Sequence, residues 1–323
     1  MKLKFQFVLT LTLCALIALS AQAAATPTPA DLLSVGRLDD AVRTLSVRVQ
    51  GNPGDAEAYH LLSRAYFHLR KWDEAVSYGE RAVELNPNNS GYHMWLGRAY
   101  GEKAEASSFI TAASLAKKIK LNFEKAVELD GRSVEARSDL AEFYVEAPGF
   151  MGGGVDKAAE QARQIAQFDP AQAHWVTARI AEKKKDPGAA ENEYKAAILA
   201  SQDADYWLNL ASFYGRQNRL NEMEDAVNRA VAAPMKKSNS LYDAATLLFK
   251  SGRNLAGAAG LVQRYLNSGR VNEEAPSFEA HYMLGAIYEK LGNRDAALQE
   301  YRASLALAGD YKPAKEALIK IGG

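Results

Sequence analysis

The chain of 323 residues contains a single cysteine, Cys14, which excludes a disulfide within one chain. Cys14 lies in an apolar run, residues 5–20, and follows Leu13, whereas a bacterial lipoprotein signal has a small residue directly before its cysteine. We therefore expect Cys14 to be removed with a leader rather than lipidated. A mature chain without a thiol cannot use cysteine catalysis or thiolate metal sites.

Long hydrophobic runs are missing after residue 25, so no transmembrane segment is expected in the mature chain. The run at 5–20 is itself too short for a stable membrane anchor. It follows two lysines, Lys2 and Lys4, and ends before the small-x-small pair Ala21 and Ala23. These features predict residues 1–25 as a cleaved signal peptide and export to the periplasm of a Gram-negative bacterium. A retained anchor is the alternative.

Neither sign of charge is in excess, with 39 basic and 39 acidic residues. The basic runs are short, at 183–185 and 236–237, and both lie where a helix is expected to end. Cations at that place complement the helix dipole and stay in solvent. Since nucleic acids bind to strongly basic surfaces, no nucleic-acid partner is expected.

Catalytic and metal-binding patterns are also missing from the sequence. The five histidines lack metal-site spacing, and we interpret His93, His174 and His281 as core packing residues. The glycine run 152–154 is followed by an acid, Asp156, which would repel a phosphate at a helix N-terminus. We therefore predict no catalytic residue, no metal, no cofactor and no enzyme activity.

The sequence does contain a repeat of about 34 residues. Pro53 and Pro87 each follow an asparagine and are separated by one such period, as are Ala41 and Ala75. Proline after asparagine ends one helix and leads into the next. A helix-turn-helix unit of this length cannot bury its apolar face alone, so copies must stack.

The pattern within the units resembles the tetratricopeptide (TPR) repeat family, whose first helix carries Leu-Gly or Leu-Ala followed by Tyr. Clear copies of that pattern are Leu96-Gly97 with Tyr100 and Leu284-Gly285 with Tyr288. The resemblance implies an all-α, right-handed TPR superhelical solenoid over residues 26–311. It would contain about seven full repeats after a partial first one, with a capping helix at 312–323.

Two departures from the period distinguish this chain. The third repeat, residues 90–133, is about ten residues too long, and its surplus lacks proline, so it is expected to lengthen both helices. The fourth repeat carries an Ala-Pro-Gly…Gly-Gly-Gly loop at 147–154. Together they resemble a group of exported bacterial TPR proteins, and that resemblance implies no known activity.

TPR solenoids present the inner faces of their first helices on a concave groove. Arginines interleaved with aromatic residues there are typical of binding hot spots. The inward positions predicted to contact a partner are His60, Arg64, Phe67, Met94, Arg98, Glu142, Trp175, Arg179, Tyr242, Tyr282 and Glu289. Arg64, Arg98 and Arg179 would form a positive line. The alternative is that these arginines pair with acids of neighbouring repeats.

Two connecting segments add apolar candidates for a contact. Phe109 and Ile110 lie in the long hairpin of the third repeat, and Phe150 and Met151 lie in the glycine loop. Apolar side chains on connectors are less expected than polar ones, so both pairs are candidate contacts with a partner or with another copy.

These features favour a periplasmic protein-protein interaction scaffold or adaptor that holds a peptide or a partner domain in its groove. Two alternatives stay open. One is a self-assembling structural component that associates through the long third repeat. The other is an accessory to an export or transport complex.

Overall fold

The structure, a computed structural model, describes residues 27–322, and within them the chain is helical without strands. The predicted leader at 1–25, with Cys14, lies outside the described residues. Across 27–322, none of the helices is both long and apolar enough to cross a bilayer.

Seventeen α-helices and one 3-10 turn, Gly149–Met151, follow one another along the described chain. The helices are α1 (Pro29–Ser34), α2 (Leu38–Gly51), α3 (Ala56–His68), α4 (Trp72–Leu85), α5 (Ser90–Glu105), α6 (Phe109–Leu129), α7 (Val134–Glu146), α8 (Val155–Ile165), α9 (Pro170–Lys183), α10 (Pro187–Ser201), α11 (Ala204–Arg216), α12 (Leu220–Ala232), α13 (Ser240–Ser251), α14 (Leu255–Leu266), α15 (Ser277–Lys290), α16 (Arg294–Leu307) and α17 (Lys312–Gly322).

Helices α3 to α16 pack as seven antiparallel pairs, each of which is one repeat. Short polar side chains begin many of the first helices: Asp55, Ser133 and Asp169 accept hydrogen bonds from backbone N–H groups three residues on. Such caps satisfy amides that have no partner inside the helix. The repeat period in the sequence is therefore a period of helix starts and stops, as the TPR resemblance implies.

Close approach of the two helices of a repeat explains the Leu-Gly pattern. A Cβ added at Gly97 would lie 2.5 Å from the ring of Phe123, and one at Gly285 would lie 2.7 Å from the ring of Tyr301. Both contacts are too short for a real methyl group, so each glycine makes space for an aromatic ring of the second helix. The small residue and the aromatic ring are one packing unit.

The third repeat is long mainly in its second helix. Helix α5 has 16 residues and α6 has 21, against 13 and 14 in α3 and α4. Seven more residues than α4 correspond to about 10 Å of additional helix. The N-terminal end of α6 therefore extends past the neighbouring repeats, beside the glycine loop that follows α7.

Glycines give the loop after α7 its shape. Gly152 has φ +100°, a conformation that favours glycine. A Cβ at Gly153 would lie 1.8 Å from the carbonyl oxygen of Ala147, so no larger residue fits there. The N–H of Gly154 donates to the Tyr144 carbonyl at 2.8 Å, which turns the chain back onto α7. The loop is thus folded tightly.

The first and last repeats touch, so the solenoid closes on itself. Leu33 and Leu38 are fully buried in one apolar cluster with Phe278 of α15 and Tyr311, which precedes α17. Gly36 has φ +78°, and a Cβ there would lie 2.6 Å from the backbone nitrogen of Ser277. Only glycine allows the two ends to approach this closely.

An ion pair on the inner side reinforces this closure. Arg64 donates to Glu273 with Nε 2.8 Å from Oε1, and Nε2 of His68 lies 3.2 Å from the same oxygen. Burial alone would raise the pKa of Glu273, but the hydrogen bonds from His68 and Arg64 outweigh it and lower that pKa to about 2. The carboxylate is therefore charged at neutral pH and joins residues over 200 positions apart.

Further hydrogen bonds complete the junction. The Ser277 hydroxyl donates to the Val35 carbonyl at 2.8 Å, and the N–H of Gly309 donates to Asp39 at 2.9 Å. A more exposed ion pair joins Lys71 to Asp310 at 2.7 Å. The sequence predicts a concave groove, whereas the structure encloses that face within a ring.

Neutralising Glu273 is expected to loosen the ring. The change Glu273→Gln leaves Arg64 and His68 partly buried without their counter-ion, which should lower the free energy of unfolding by about 1–3 kcal/mol. Urea unfolding measures this change, and small-angle scattering should show a larger radius of gyration.

The neighbouring change Glu274→Gln is the matched control for that variant. Glu274 pairs with Lys237, and both side chains are about half exposed, so its loss should cost less than about 0.5 kcal/mol. Equal effects of the two variants, or an unchanged radius for Glu273→Gln, would show that the junction does not depend on this carboxylate.

Candidate functional site

The inner face of the ring carries a cavity of about 940 Å³ that is open to solvent on one side. Its wall comes from the first helices of successive repeats, α5, α7, α9, α11 and α13. Trp175, Tyr206 and Leu208 supply apolar surface. The volume is at the upper end of the range for small-ligand sites, but the lining is more polar than is usual for them.

Acidic side chains dominate the charged groups of this cavity. The carboxylates in its wall are Glu135, Asp139, Glu142, Asp169, Asp203, Asp205, Asp243 and Glu274. The cations in its wall are Arg98, Lys236 and Lys237. Eight acids against three bases give the lining a negative balance, in a chain whose total charge is zero.

Arg98 is held by two of these acids. Its Nε lies 2.7 Å from Asp139 Oδ2 and its Nη2 lies 2.8 Å from Glu135 Oε1. The guanidinium of Arg98 also lies over the ring of Trp95, 5.1 Å from its centroid. Arg64 approaches the same ring at 4.9 Å. Arg98 is thus satisfied within the protein and does not make the wall positive.

Asp205 and Asp243 lie deeper in the wall without a cation. No ion pair within 4 Å reaches either of them from residues 27–322. Asp205 accepts from the Ser240 hydroxyl at 2.7 Å, and Asp243 accepts from the Asn239 amide at 3.0 Å. Burial, and then the charge of Asp205, raise the pKa of Asp243 to about 7. Burial also raises the pKa of Asp205.

The predicted positive line of arginines is wrong. Arg64 belongs to the ring junction with Glu273, and Arg98 is neutralised by Glu135 and Asp139. Arg179 contacts three glutamates, Glu146 at 2.7 Å, Glu182 at 3.2 Å and Glu142 at 3.6 Å. Each arginine pairs with acids of its own or other repeats, which is the alternative interpretation of the sequence.

Three further predicted contacts lie outside this cavity and take part in packing, and one of them, Phe67, also lines a second cavity of about 270 Å³. His60 is buried and stacks on Tyr92, with ring centroids 4.5 Å apart, and burial lowers its pKa to about 4. Met94 is buried in a small apolar cluster. Phe67 packs edge-on against Trp95, with centroids 5.6 Å apart.

The last three predicted contacts also lie outside the cavity lining. Tyr242 packs against the apolar core at 6.1 Å from the ring of Tyr265. Tyr282 packs edge-on against Tyr311 at the ring junction. Glu289 accepts from the Tyr301 hydroxyl and from Lys320 of α17, both at 2.8 Å, so it holds the capping helix in place.

The structure therefore brings only Arg98, Glu142 and Trp175 of the predicted set together in the cavity wall. Sequence reasoning missed Asp205 and Asp243 because acids in a first helical turn usually complement the helix dipole. Their recurrence at the start of successive inner helices was the available signal. Register alone does not show which way a first-turn side chain points.

The histidines hold no metal site. Among residues 27–322, no group of three or more suitable ligands comes together. His93 is buried, as expected for a packing residue, and contacts Asn122 at 2.9 Å. His174 is 41% exposed and contacts Glu193 at 2.7 Å, so the prediction that it is a core residue is wrong. His281 is partly buried, and its Nδ1 lies 2.6 Å from a carboxylate oxygen of Glu300.

The apolar candidates on the two connectors meet in space. Phe109, Ile110 and Phe150 are 68%, 82% and 76% exposed, and Met151 is partly buried. The rings of Phe109 and Phe150 lie 6.3 Å apart. The sequence suggests two separate contacts, and the structure joins them at one exposed position.

Removing the charge of Asp243 is expected to stabilise the protein at alkaline pH. Its folded-state pKa, about 7, lies above the ordinary value of 3.8, so the folded chain holds a proton that the unfolded chain releases. That stabilisation is complete below the unfolded pKa and is lost as pH rises through about 7. The free energy of unfolding of Asp243→Asn should therefore exceed that of the wild type by about 1–3 kcal/mol near pH 8. The difference should shrink as pH falls toward 4.

Urea unfolding over this pH range measures the difference between the two proteins. Asp225→Asn is the control, since Asp225 is 65% exposed on α12 and pairs with Arg229. A pH-independent difference for Asp243→Asn would show that Asp243 titrates at its ordinary pKa.

Comparison with known proteins identifies the repeat. The tetratricopeptide repeat family model matches residues 56–89 and 278–311, which are the pairs α3–α4 and α15–α16 with the turns after them. Among solved structures, yeast Tom70 superposes with a TM-score of 0.51 at 15% sequence identity, over 88% of this chain and 59% of that chain. At this level of identity, the likeness concerns the fold.

Curated relatives match over most of this chain. Human protein O-mannosyl-transferase TMTC3 is 24% identical over 277 residues, which cover 81% of this chain and 29% of that protein. Mouse superkiller complex protein 3 is 21% identical over 88% of this chain and 18% of that protein. Bovine BBSome complex member BBS4 is 23% identical over 85% of this chain and 50% of that protein.

The chain thus spans between about a fifth and a half of the length of these relatives. The family model matches two of the helix pairs described above, α3–α4 and α15–α16. The chain thus contains tetratricopeptide repeats, and its fold is an all-α solenoid of TPR units.

Proposed function

We propose that this protein is an interaction scaffold that binds a lysine- or arginine-rich segment of a partner protein in the acidic cavity of its inner face. The TPR fold suggests a protein-protein interaction module. The excess of carboxylates in the cavity wall, eight against three cations, is the observation that carries the choice of ligand. A cationic segment is the complement of such a wall.

The unpaired acids are the part of the wall that a cationic ligand would improve. Burial raises the pKa of both Asp205 and Asp243, and among residues 27–322 no cation lies within 4 Å of either carboxylate. A lysine or arginine side chain between them would favour the charged form of both carboxylates. Groups that destabilise the free protein but match a ligand are typical of functional sites.

The dimensions of the cavity favour a peptide segment over a folded domain. A volume of about 940 Å³ is at the upper end of the range for small-ligand sites. Trp175 lies in the same wall and offers a ring face to a cationic side chain. The ring is closed by the contacts of Glu273, so the wall is organised before binding and little ordering entropy is lost.

Two of the relatives support a binding role by their names, since each is called a member of a complex. The relative named as a transferase is matched over only 29% of its length. In the cavity, Arg98 and Lys237 pair with acids, and Asp169 and Asp203 cap helices. These are structural roles, so we propose binding without catalysis.

A peptide-binding measurement tests this function. Near pH 8, above the pKa of Asp243, a short lysine- and arginine-rich peptide should bind, and the double change Asp205→Asn with Asp243→Asn should weaken binding about tenfold or more. Isothermal titration calorimetry measures the affinity, which should fall as salt increases.

The control carries two matched changes on the outer surface, Asp156→Asn with Asp225→Asn, and should bind as the wild type does. An acidic peptide of equal length should not bind. Equal affinity for both peptides, or full affinity in the cavity variant, would refute the acidic cavity as the site.

We propose further that residues 1–25 direct export to the periplasm and are cleaved. The support is the order of two lysines, an apolar run and a small-x-small site. Within this compartment the scaffold could serve an export or transport complex, which is the alternative that the sequence leaves open.

Fractionation of the native cell tests the export of the chain. The mature protein should be released with the periplasmic fraction, and its N-terminal sequence should begin near residue 24 or 26. Lys2→Glu with Lys4→Glu should slow export, because the basic start orients the leader. A full-length chain in the cytosolic fraction would contradict export, and a full-length chain in the membrane fraction would favour a retained anchor.

A further inference from the structure

Three apolar side chains form one exposed group where the long hairpin meets the glycine loop. We call Phe109, Ile110 and Phe150 the apolar tip. Their exposed fractions are 68%, 82% and 76%, and the rings of Phe109 and Phe150 lie 6.3 Å apart. Two segments about 40 residues apart in sequence thus direct aromatic rings into solvent at the same place.

Structural constraints explain why the tip is held outward. Helix α6 begins at Phe109 and is seven residues longer than α4, so its N-terminal end extends past the adjoining repeats. The loop carrying Phe150 is fixed by Gly153, where a Cβ would collide with the Ala147 carbonyl. The tip is therefore presented on a rigid support, unlike a side chain on a mobile loop.

Lysines follow the tip along α6, and an exposed acid, Glu105, precedes it. Residues 106–123 contain three lysines and no acid, and residues 147–155 contain no charged residue, with Glu105 and Asp156 at the borders of these segments. Lys118 lies 3.2 Å from Glu80. Lys117 and Lys120 make no ion pair within 4 Å to residues 27–322. The aliphatic part of the Lys120 side chain packs beside Gly152. A Cβ added at Gly152 would lie 3.0 Å from Cδ of Lys120.

The lysines follow the tip along α6 at a fixed distance. Lys117 and Lys120 are 8 and 11 residues after Phe109, which places them about 12–17 Å further along the helix axis. Ile110, Lys117 and Leu121 follow at spacings of seven and four residues, so they share one face, and Leu121 is 51% exposed. An apolar end followed by a basic collar is the arrangement of interfacial membrane anchors.

We propose that the apolar tip inserts into the surface of an anionic lipid bilayer, with Lys117 and Lys120 at the level of the headgroup phosphates. Amphipathic segments enter the boundary of headgroups and acyl chains by about 5–10 Å, which leaves side chains 12–17 Å away among the headgroups. Each lysine near an anionic surface strengthens binding about fivefold. The protein would thereby hold its ring at a membrane surface.

The observations favour a lipid surface over a protein partner for two reasons. Three side chains at a protruding end cover far less than the roughly 1,200–2,000 Å² that a stable protein interface buries. A second copy of the chain would bring the same unpaired lysines, Lys117 and Lys120, toward each other, and like charges oppose that contact. An anionic bilayer satisfies the apolar and the basic parts together.

Co-sedimentation of the full chain with lipid vesicles tests the proposal. Vesicles of phosphatidylcholine with one-third phosphatidylglycerol should bind the protein about tenfold or more tightly than pure phosphatidylcholine. The triple change Phe109→Ser, Ile110→Ser and Phe150→Ser should weaken binding about tenfold or more. Lys117→Gln with Lys120→Gln should also weaken vesicle binding, by about 25-fold, and added salt should weaken it too.

A matched control removes three apolar side chains elsewhere. Val47→Ser, Leu199→Ser and Ile319→Ser alter residues that are 65%, 80% and 76% exposed, and should leave vesicle binding unchanged. All six side chains are exposed, so both triple variants should unfold like the wild type, and circular dichroism checks this.

Three results would overturn membrane docking. They are a wild type that ignores anionic vesicles, a tip variant that binds as well as the wild type, and a lipid-independent dimer in sedimentation velocity that the tip variant disperses. The last would make a second copy the partner of the tip. Asp205→Asn with Asp243→Asn leaves the tip intact and should retain vesicle binding, so the two proposals succeed or fail separately.

Discussion

Glu273 lies between Arg64 and His68 at the point where the last repeats meet the first, and the enclosed form of the molecule depends on this junction. A stack of identical units has no intrinsic reason to stop or to close. Here an apolar cluster around Phe278 and Tyr311 buries the end of the stack against its beginning. Because each repeat contacts mainly its neighbours, this long-range contact is what turns a solenoid into a ring.

Packing between repeats also sets the electrostatics of the inner face. Asp205 and Asp243 lie in the cavity wall at the starts of successive inner helices. Burial, and then the charge of Asp205, raise the pKa of Asp243 to about 7. The electrostatic character of the cavity therefore depends on how neighbouring repeats bury these acids against each other. The apolar tip lies on a separate part of the molecule and gives it a second means of contact.

The repeat architecture was predictable because its causes are local. Gly97 and Gly285 report the close approach of two helices, and the prolines after asparagine report where helices end. The candidate site was predictable only in part. Register placed Arg98, Glu142 and Trp175 correctly in the inner wall, but it also placed His60 and Met94 there, which are buried in packing. Successive residues of a helix are rotated by about 100° around its axis. This angular resolution is too coarse to separate a residue on the inner surface from one in a contact between helices.

The sequence by itself determined the helix pairs, the period at which they stack and the excess length of the third repeat, because caps, small residues and apolar spacing act over a few residues. Tertiary structure decided the rest. It decided that the ends meet through residues over 200 positions apart, that the arginines are neutralised by acids of other repeats, and that Phe109 and Phe150 form one tip. The physical reason is that charge pairing and surface clustering depend on distances between repeats. These distances result from small rotations between successive repeats that add up along the stack, and no single unit encodes them.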